Sequence, residues 1–337
     1  MNIEDIRKFL ESSDPVQMEK SALTARNITA SQFGKVISLY APVYLSNYCE
    51  NNCVYCGFRT NGDVVRKKLS IEQIEAEMKI VSGMGIRSVL LLTGESRKLS
   101  PVSYLIDSVK IAKKYFSNIS LEVYPLETEE YMELFKAGVD GVTIYQETYD
   151  RERYKKLHLS GKKRDYDYRY KTPERIARSG IRMISMGILL GLSPLVDDLF
   201  SLFDHLRLME KHYPGVEYSV SFPRLIVESG DDTDYYKITD SDLAKCIILT
   251  RIMFPRIGIN LSTRENAFFR DHAIRFGVTK ISAASNTSVG GYEANVYDNS
   301  QFKIRDHRSL KEIELILKKK GFDPVYTDWR RIDNIPV

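Results

Sequence analysis

Eight short runs of apolar and β-branched residues, separated by helical patterns, constrain the fold of this 337-residue chain more than any other feature. Buried parallel strands have this composition, and their alternation with helices predicts a parallel sheet. Eight strand–helix units predict an α/β fold, a (β/α)8 barrel of the TIM type, with a six-stranded barrel and a doubly wound sheet as alternatives. The expected strands are 38–46, 88–93, 120–124, 141–146, 183–190, 217–222, 258–263 and 280–284.

Helix signals between these runs define the expected organisation. Ser70 and Gln73 form a capping box, and Pro101 and Pro173 stand where helices begin. Further helices are expected around 128–136, 199–209, 240–254 and 267–276. The helical patterns at 3–9 and 23–33 predict an N-terminal helical cap over residues 1–37, on the closed end or the side of the barrel. The barrel would occupy 38–300, with a C-terminal segment, 301–337, packing on it.

Three cysteines follow the first strand directly. Cys49, Cys53 and Cys56 have the spacing C-x-x-x-C-x-x-C. Three thiolates in one short loop can hold three irons of a 4Fe–4S cluster and leave the fourth iron without a protein ligand. A zinc site needs four ligands, and the nearest candidates, His158 and Cys246, are remote in sequence. Four cysteines in a chain of this length do not suggest a disulfide framework.

Polar residues at the strand ends are the candidate site residues, because barrel enzymes carry their chemistry there. Gly94 lets backbone approach a ligand closely, and the Glu95 carboxylate can pair with an ammonium group. Glu122 lies in an apolar strand, where it either binds a ligand or forms a buried ion pair. Gln146 and Glu147 are expected to reach the barrel mouth from alternate faces of their strand.

The seventh and eighth strands end in a second group of candidates. Arg264 offers a planar guanidinium to a carboxylate. Ser285 and Thr287 precede a glycine pair and can supply hydroxyl donors. The basic, tyrosine-rich stretch 153–171 is interpreted as a solvated loop over the barrel mouth.

Composition excludes several classes of function. The net charge is +4 with acids and bases interspersed, which argues against nucleic acid as the partner. No apolar stretch approaches the ~20 residues that cross a bilayer. The first residues lack a secretory signal, so a cytoplasmic location is expected. A non-enzymatic metal-binding or RNA-binding protein is the alternative from another class, supported only by the basic stretch.

The cysteine spacing, with Tyr55 just before the third cysteine, resembles the signature of radical S-adenosylmethionine (SAM) enzymes. Thr93 stands where their commoner Gly-Gly-Glu pattern has glycine. From about residue 33 to 329 the chain is similar to the 2-iminoacetate synthase family, tyrosine lyases of bacterial thiazole (thiamine) biosynthesis. The similar segments are 45–58, 92–95, 145–149, 218–225, 261–265 and 282–292.

Two related lyases are competitors. The tyrosine lyase of hydrogenase maturation resembles the chain as far as the barrel's end, but carries a C-terminal extension with cysteines for a second cluster. No cysteine follows Cys246 here. A lyase of the same group acting on tryptophan or another aromatic amino acid remains open, because both substrates need a carboxylate clamp and an aromatic pocket.

The resemblance implies a mechanism and site roles. The three cysteines would hold the 4Fe–4S cluster, SAM would bind its open iron, and a 5′-deoxyadenosyl radical would take hydrogen from tyrosine. The Cα–Cβ bond would then break, giving 2-iminoacetate (dehydroglycine) and, after reduction, p-cresol. The cofactor-binding residues would be Tyr55 for the adenine and Glu95 for the SAM amine, with Gly94, Glu122 and Gln146. The catalytic residues would be Arg264 for the tyrosine carboxylate, assisted by Ser285 or Thr287, and Glu147.

The resemblance also implies partners. 2-Iminoacetate hydrolyses readily in water, so hand-over to thiazole synthase within a complex is expected. SAM cleavage needs an electron from a reductant such as flavodoxin or ferredoxin. Neither nucleic acid nor a membrane is expected as a partner.

Overall fold

The strands predicted from sequence close into a complete barrel. The computed structural model describes residues 2–225, 234–296 and 300–327. The strands are β1 (Val36–Ser46), β2 (Ser88–Thr93), β3 (Asn118–Glu122), β4 (Gly141–Glu147), β5 (Met183–Ile188), β6 (Glu217–Ser221), β7 (Gly258–Leu261), β8 (Lys280–Ser282) and β9 (Asp323–Val325). All pairings between these strands are parallel, in the order β2-β3-β4-β5-β6-β7-β8-β1, and β1 also pairs with β2. The (β/α)8 barrel is therefore confirmed, and the six-stranded and doubly wound alternatives are wrong.

The long strand β1 forms the seam of the barrel. Its residues Ser38–Tyr40 pair with β8, and Ala41–Ser46 pair with β2. Its first residues, Val36–Ser38, pair with β9, which sequence reasoning missed. A three-residue strand containing Pro324 carries no period-2 signal, and proline is tolerated because the strand lies at an edge.

The helices expected between the strands are present, and several others were missed. The helices are α1 (Ile3–Glu11), α2 (Pro15–Phe33), α3 (Ile71–Gly83), α4 (Val102–Ala112), α5 (Thr128–Ala137), α6 (Arg151–Leu157), α7 (Tyr166–Tyr170), α8 (Thr172–Arg178), α9 (Leu195–His212), α10 (Asp240–Met253), α11 (Ala267–Ala273), α12 (Gly291–Ala294) and α13 (Leu310–Lys319). The short helices α6 and α7 overlap the stretch 153–171, which was interpreted as a solvated loop, so that interpretation is wrong for much of the stretch.

The N-terminal helices lie against the outer helices of the barrel. A capping box between Asn2 and Asp5 starts α1, whose apolar residues Ile6 and Leu10 are buried. Lys245 of α10 donates to the carbonyls of Leu10 and Ser12 at 2.6 and 2.7 Å, which satisfies the C-terminal end of α1. The helix α1 contacts α9 and α10, and α2 contacts α10. The segment therefore packs on the side of the barrel, and β1 begins at Val36.

The two largest cavities that the described residues line inside the barrel lie one above the other. The upper cavity, at the carboxyl ends of the strands, has a volume of about 380 Å³ and includes Glu122, Arg264 and Thr287 in its lining. The lower chamber, among the first residues of the strands, has a volume of about 790 Å³ and includes Ser120 and Ser185. No helix in the described part of the chain is long and apolar enough to span a membrane.

A buried ion pair attaches the C-terminal segment to the barrel. Arg270 of α11 is 1% exposed and donates to the carboxylate of Asp306 and to the carbonyl of Ser282 at the end of β8. Arg308 donates to Asp306 as well, at 2.7 and 2.9 Å. Asp306 is therefore the carboxylate that compensates the buried charge of Arg270.

We expect Asp306→Ala to destabilise the protein severely. Removing one partner of a buried pair leaves the other charge uncompensated, which costs about 3–5 kcal/mol. Urea unfolding of the cluster-free protein measures the loss. Asp167→Ala is the control, because Asp167 pairs with Arg151 on the surface and exposed pairs contribute about 0–1 kcal/mol. Equal losses in the two variants would contradict this account.

Candidate active site

The cysteine loop is held in place by the segment that follows it. The Asn47 side chain accepts from the Lys67 N–H at 2.7 Å and donates to the Val65 carbonyl at 2.8 Å. Arg66 donates to the carbonyls of Asn47 and Phe58, at 2.6 and 2.9 Å. These contacts fix both ends of the loop, so the thiols between them are positioned before any ligand binds.

The three predicted cluster ligands converge on one small cavity. Cys49, Cys53 and Cys56 line a cavity of about 70 Å³ together with Gly94 and Glu95. In the described residues, no three or more His, Cys, Asp and Glu side chains meet around a single ion position. Thiols that face one space without meeting at one point suit a cluster, in which each binds a different iron, better than a tetrahedral zinc ion.

Burial keeps Cys49 and Cys53 protonated until metal displaces their protons. Burial raises the pKa of Cys53 to about 12, partly offset by Lys163, and it also raises the pKa of Cys49. Metal ligation requires thiolates, so loading the site releases protons and becomes easier at higher pH. His158, the remote candidate for a fourth ligand, is engaged elsewhere. Its Nε2 accepts from the Tyr55 hydroxyl at 2.7 Å, and its Nδ1 donates to the Tyr154 carbonyl at 2.7 Å.

Gly94 allows strand β2 to approach the cysteine loop. A Cβ at this position would lie 2.3 Å from the Tyr48 carbonyl oxygen and 2.8 Å from its carbon. The Gly94 N–H donates to the Ser46 carbonyl at 2.7 Å, and the Glu50 N–H donates to the Glu95 carbonyl at 3.1 Å. The residue is thus required for backbone packing beneath the cluster site.

Two carboxylates and two cations form a buried network beside the thiols. Arg169 donates to Glu95 at 2.9 Å, and Lys163 donates to Glu147 at 2.6 Å. The crossed pairs, Lys163 with Glu95 and Arg169 with Glu147, are 3.8 and 3.6 Å apart. Asn51 of the cysteine loop donates to Glu95 at 2.8 Å. Burial opposes ionisation of Glu95, but Arg169 and Lys163 outweigh it and hold the pKa of this carboxyl below its usual value.

Lys163 and Arg169 are functional candidates that sequence reasoning missed. Both belong to the basic stretch expected to be solvated, yet only 11% of the Lys163 side chain and 5% of that of Arg169 are exposed. A run of charges normally indicates a solvated surface. The partners of these two cations are Glu95, just after β2, and Glu147, the last residue of β4, so no local pattern reveals the pairing.

Strand β4 presents only one of its two predicted side chains to the barrel mouth. Glu147 lines the cysteine-side cavity and has a left-handed backbone with φ of 72°, where the register between β4 and β5 shifts. Gln146 points to the opposite side and lines a small void with His205 and Pro173. The prediction that Gln146 reaches the mouth is wrong, because neighbouring residues of a strand face opposite sides of the sheet.

Arg264 faces the upper cavity with unused donors. Its guanidinium carbon lies 3.8 Å from the centre of the Phe302 ring, and Nη1 donates to the Arg224 carbonyl at 3.2 Å. Nε is buried without a partner, and burial lowers the pKa of the guanidinium. The neighbouring Glu265 is paired with Arg224 instead. Among the described residues, no carboxylate lies within ion-pair distance of Arg264, so its charge is available to an anionic ligand.

Of the other two predicted substrate residues, Thr287 lines the upper cavity and Ser285 does not. Thr287 lines the upper cavity with Arg264, and its hydroxyl donates to the Phe302 carbonyl at 3.3 Å. Ser285 is buried, its hydroxyl has no hydrogen-bond partner among the described residues, and it does not line the cavity. Ser282, which sequence reasoning did not single out, does line it.

Glu122 stands where the cysteine-side cavity and the upper cavity meet. It lines both of them, and no group in the described part of the chain is within hydrogen-bonding distance of its carboxylate. Burial, assisted by the negative charge of Glu147, raises the pKa of this carboxyl to about 7. The buried ion pair considered from sequence is therefore not formed. A carboxyl group without a partner in a cavity wall is a candidate ligand-binding group.

Single cysteine replacements should distinguish the three predicted cluster ligands from Cys246, which is not expected to bind iron. We expect alanine at position 49, 53 or 56 to abolish stable iron binding after anaerobic reconstitution, because each thiolate holds one iron. Cys246→Ala should keep the iron-to-protein ratio of the native chain, since Cys246 is a buried residue of α10. Retention of a full cluster by any of the first three variants would overturn the assignment.

Replacing Glu122 should make the ligand-free protein more stable at high pH. The pKa of Glu122 is raised in the folded state, so its contribution to stability is complete below about pH 4.5 and is lost as the pH rises towards 7. Glu122→Gln removes the ionisation, and we expect a gain of roughly 1–3 kcal/mol at pH 8 that disappears near pH 4.5. Urea unfolding at the two pH values measures it. Glu133→Gln, on an exposed part of α5, is the control.

Comparison with known proteins agrees with this geometry. A family model described as the Radical SAM superfamily matches residues 43–203, and one described as the Biotin and Thiamin Synthesis associated domain matches 221–323. 2-Iminoacetate synthases of Salmonella typhimurium and Escherichia coli are each 37% identical over 327 residues, covering 97% of this chain and 87% of theirs.

Solved structures of other proteins share the fold of this chain. The FeFe-hydrogenase maturase HydG from Carboxydothermus hydrogenoformans superimposes with a TM-score of 0.90 at 34% identity, covering 97% of this chain and 76% of that one. Methylornithine synthase, with a TM-score of 0.75 at 21% identity, shares the fold. The resemblance seen in the cysteine loop and strand ends is thereby confirmed, with a 4Fe–4S cluster and SAM as the cofactors. The chain belongs to the radical SAM superfamily and, within it, to the 2-iminoacetate synthase family.

Proposed function

We propose that this protein is a radical SAM lyase that cleaves the Cα–Cβ bond of L-tyrosine to 2-iminoacetate and p-cresol, supplying the iminoacetate for the thiazole of thiamine. The observation that carries the proposal is Arg264, a buried guanidinium without a carboxylate partner, in a cavity that shares Glu122 with the cysteine-lined site. The family relatives named 2-iminoacetate synthase support the choice of reaction.

The cysteine side of the site is suited to the cofactors. Cys49, Cys53 and Cys56 would hold the cluster. When bound, the cluster and SAM supply a one-electron cleavage whose carbon radical removes a hydrogen atom from the substrate. Cys53 is buried and Cys49 and Cys56 are half-buried, and backbone hydrogen bonds join the cysteine loop to the segment that ends and follows α6. This placement keeps bulk water away from the reacting atoms.

The buried charge network is suited to the amino acid end of SAM. That end carries an ammonium and a carboxylate, and the network already holds matched charges of both signs. We assign the SAM ammonium to Glu95 and its carboxylate to Arg169 or Lys163. When SAM binds, its ammonium and carboxylate would replace the internal partners of Glu95 and of Arg169 or Lys163. Each of these buried charges would therefore still have a partner of opposite sign. The backbone of Gly94 lies next to Glu95, on the same side of the site. Tyr55, whose hydroxyl is hydrogen-bonded to His158, is assigned to the adenine.

The upper cavity is suited to tyrosine. Its volume of about 380 Å³ falls within the roughly 300–1,000 Å³ of small-molecule sites. Arg264 is assigned to the substrate carboxylate, with Thr287 beside it, and Tyr40 and Tyr145 provide an aromatic floor. The resemblance implied that Glu122 binds SAM, whereas we assign it to the substrate ammonium, because it faces the same cavity as Arg264 and has no hydrogen-bond or ion-pair partner among the described residues. A carboxyl group with a pKa near 7 can also take up a proton there.

Two partners complete the proposal. The iminoacetate product hydrolyses readily in water, which favours direct transfer to thiazole synthase within a complex. The electron for SAM cleavage would come from a flavodoxin or ferredoxin. Both partners can be tested by adding them to the reconstituted enzyme and measuring turnover.

A product assay tests the proposed reaction. The cluster is reconstituted anaerobically, SAM, dithionite and L-tyrosine are added, and p-cresol and 5′-deoxyadenosine are quantified. Formation of both products in equal amounts is expected. 5′-Deoxyadenosine without p-cresol would refute tyrosine cleavage, and a parallel reaction with L-tryptophan would then test the competing lyase activity.

Replacing Arg264 should weaken tyrosine binding and spare the cluster. Hydrogen bonds to a charged group contribute about 1.5–3 kcal/mol, so Arg264→Met should raise KM for tyrosine roughly 10- to 100-fold. Iron content and tyrosine-independent SAM cleavage should not change. Arg178→Met, which changes an exposed arginine of α8, is the control. An unaltered KM in Arg264→Met would exclude the carboxylate assignment.

A further inference from the structure

The lower half of the barrel is hollow. TIM barrels are normally filled by layers of large branched side chains. Here the lower chamber encloses about 790 Å³, more than the upper cavity. The inward residues that border it are mostly small and polar: Ser38, Ser88, Ser120, Gly141, Ser185 and Ser219.

The chamber wall carries ordered hydroxyl groups. Asn260 donates through Nδ2 to the hydroxyl oxygens of Ser185 and Ser219, at 3.0 and 3.2 Å. Both hydroxyls accept this bond, so each retains its own O–H for a further acceptor. Apolar groups such as those of Leu90 and Met183 lie among these hydroxyls in the lining. The wall therefore offers hydrogen bonds and apolar contact to a ligand with one polar group.

A thin partition separates the two cavities. Tyr40, Leu90 and Tyr145 line both the upper cavity and the lower chamber. A Cβ on Gly187 would lie 2.6 Å from the Tyr145 ring and 2.3 Å from the Ser221 carbonyl oxygen, so this glycine gives the ring room to lie across the barrel. A single layer of side chains thus divides the proposed tyrosine site from the chamber.

Most of the charges around the chamber lie at its outer end. The charged residues in its lining are Glu210, Glu217, Arg256 and Lys280. Glu217 and Lys280 are the first residues of β6 and β8, and Glu210 and Arg256 belong to the end of α9 and the turn before β7. The Lys280 ammonium reaches inward and lies 5.3 Å from the centre of the Tyr40 ring. The other described residues of the interior wall are uncharged. An amino acid zwitterion would lose the hydration of two opposite charges there with a partner for at most one of them, whereas a neutral molecule would not.

We propose that the lower chamber binds a neutral phenol, and that the p-cresol product leaves the upper cavity through it. The inference rests on the proposed function. The aromatic ring of tyrosine in the upper cavity would lie on the partition of Tyr40, Leu90 and Tyr145. After cleavage, p-cresol carries one hydroxyl and no charge, which matches the serine-lined wall. The labile iminoacetate can then be transferred at the cysteine side while the water-stable phenol leaves at the other end.

Equilibrium dialysis of p-cresol tests the chamber directly. The reconstituted full-length protein is dialysed anaerobically with SAM and saturating L-tyrosine but no reductant, so that the upper cavity is occupied and no turnover occurs. We expect saturable binding of about one p-cresol per chain. Ser185→Phe, which fills the chamber from β5, should weaken binding at least tenfold. Ser219→Phe from β6 should do the same, and Ser185→Thr should bind as the native chain does.

Each outcome decides the proposal. Absence of saturable binding to the native chain, or equal binding by the native chain and both phenylalanine variants, would overturn it. In turnover, Ser185→Phe should give the native yield of p-cresol in a single turnover and a several-fold lower steady-state rate. An unchanged steady-state rate would exclude the exit route. The dialysis result does not depend on lyase activity, so failure of the proposed reaction and failure of the chamber are distinguishable.

Discussion

The site depends on the buried pairing of Glu95 and Glu147 with Lys163 and Arg169. These four residues connect the ends of β2 and β4 to the segment that folds over the barrel mouth, and Asn51 extends the contacts to the cysteine loop. Charges of both signs are desolvated together, so the cost of burying each is met only while its partners are present. The same balance makes the network a preformed site for a zwitterionic ligand.

Two charged groups of the site, Arg264 and Glu122, have no ion-pair partner among the described residues, and this separates ligand-binding from structural charges. Arg224 and Arg270 have carboxylate partners and maintain the barrel, whereas Arg264 has no carboxylate beside it in this part of the chain and faces the upper cavity. Burial shifts the pKa of Glu122 towards neutrality. Such groups reduce the stability of the ligand-free protein, which is expected at sites evolved to bind charged ligands.

The sequence was sufficient to predict the barrel and the cysteine site, but it was not sufficient for their interior. Strand periodicity and a compact cysteine motif are local signals, and they placed all eight barrel strands and the loop after β1. The burial of Lys163 and Arg169 depends on carboxylates far along the chain, so a charged stretch was mistaken for a solvated one. Gln146 was misplaced because the face of β4 was not fixed. The lower chamber arises from small residues contributed by most of the strands, which become neighbours only when the barrel closes.

The most direct test of the account is an anaerobic crystal structure of the protein with its cluster, SAM and L-tyrosine. The account predicts the tyrosine carboxylate against Arg264, its ammonium near Glu122, its ring on Tyr40 and Tyr145, and the methionine end of SAM between Glu95 and Arg169. A tyrosine carboxylate bound to Lys163 or Arg169, with Arg264 free of ligand, would contradict it.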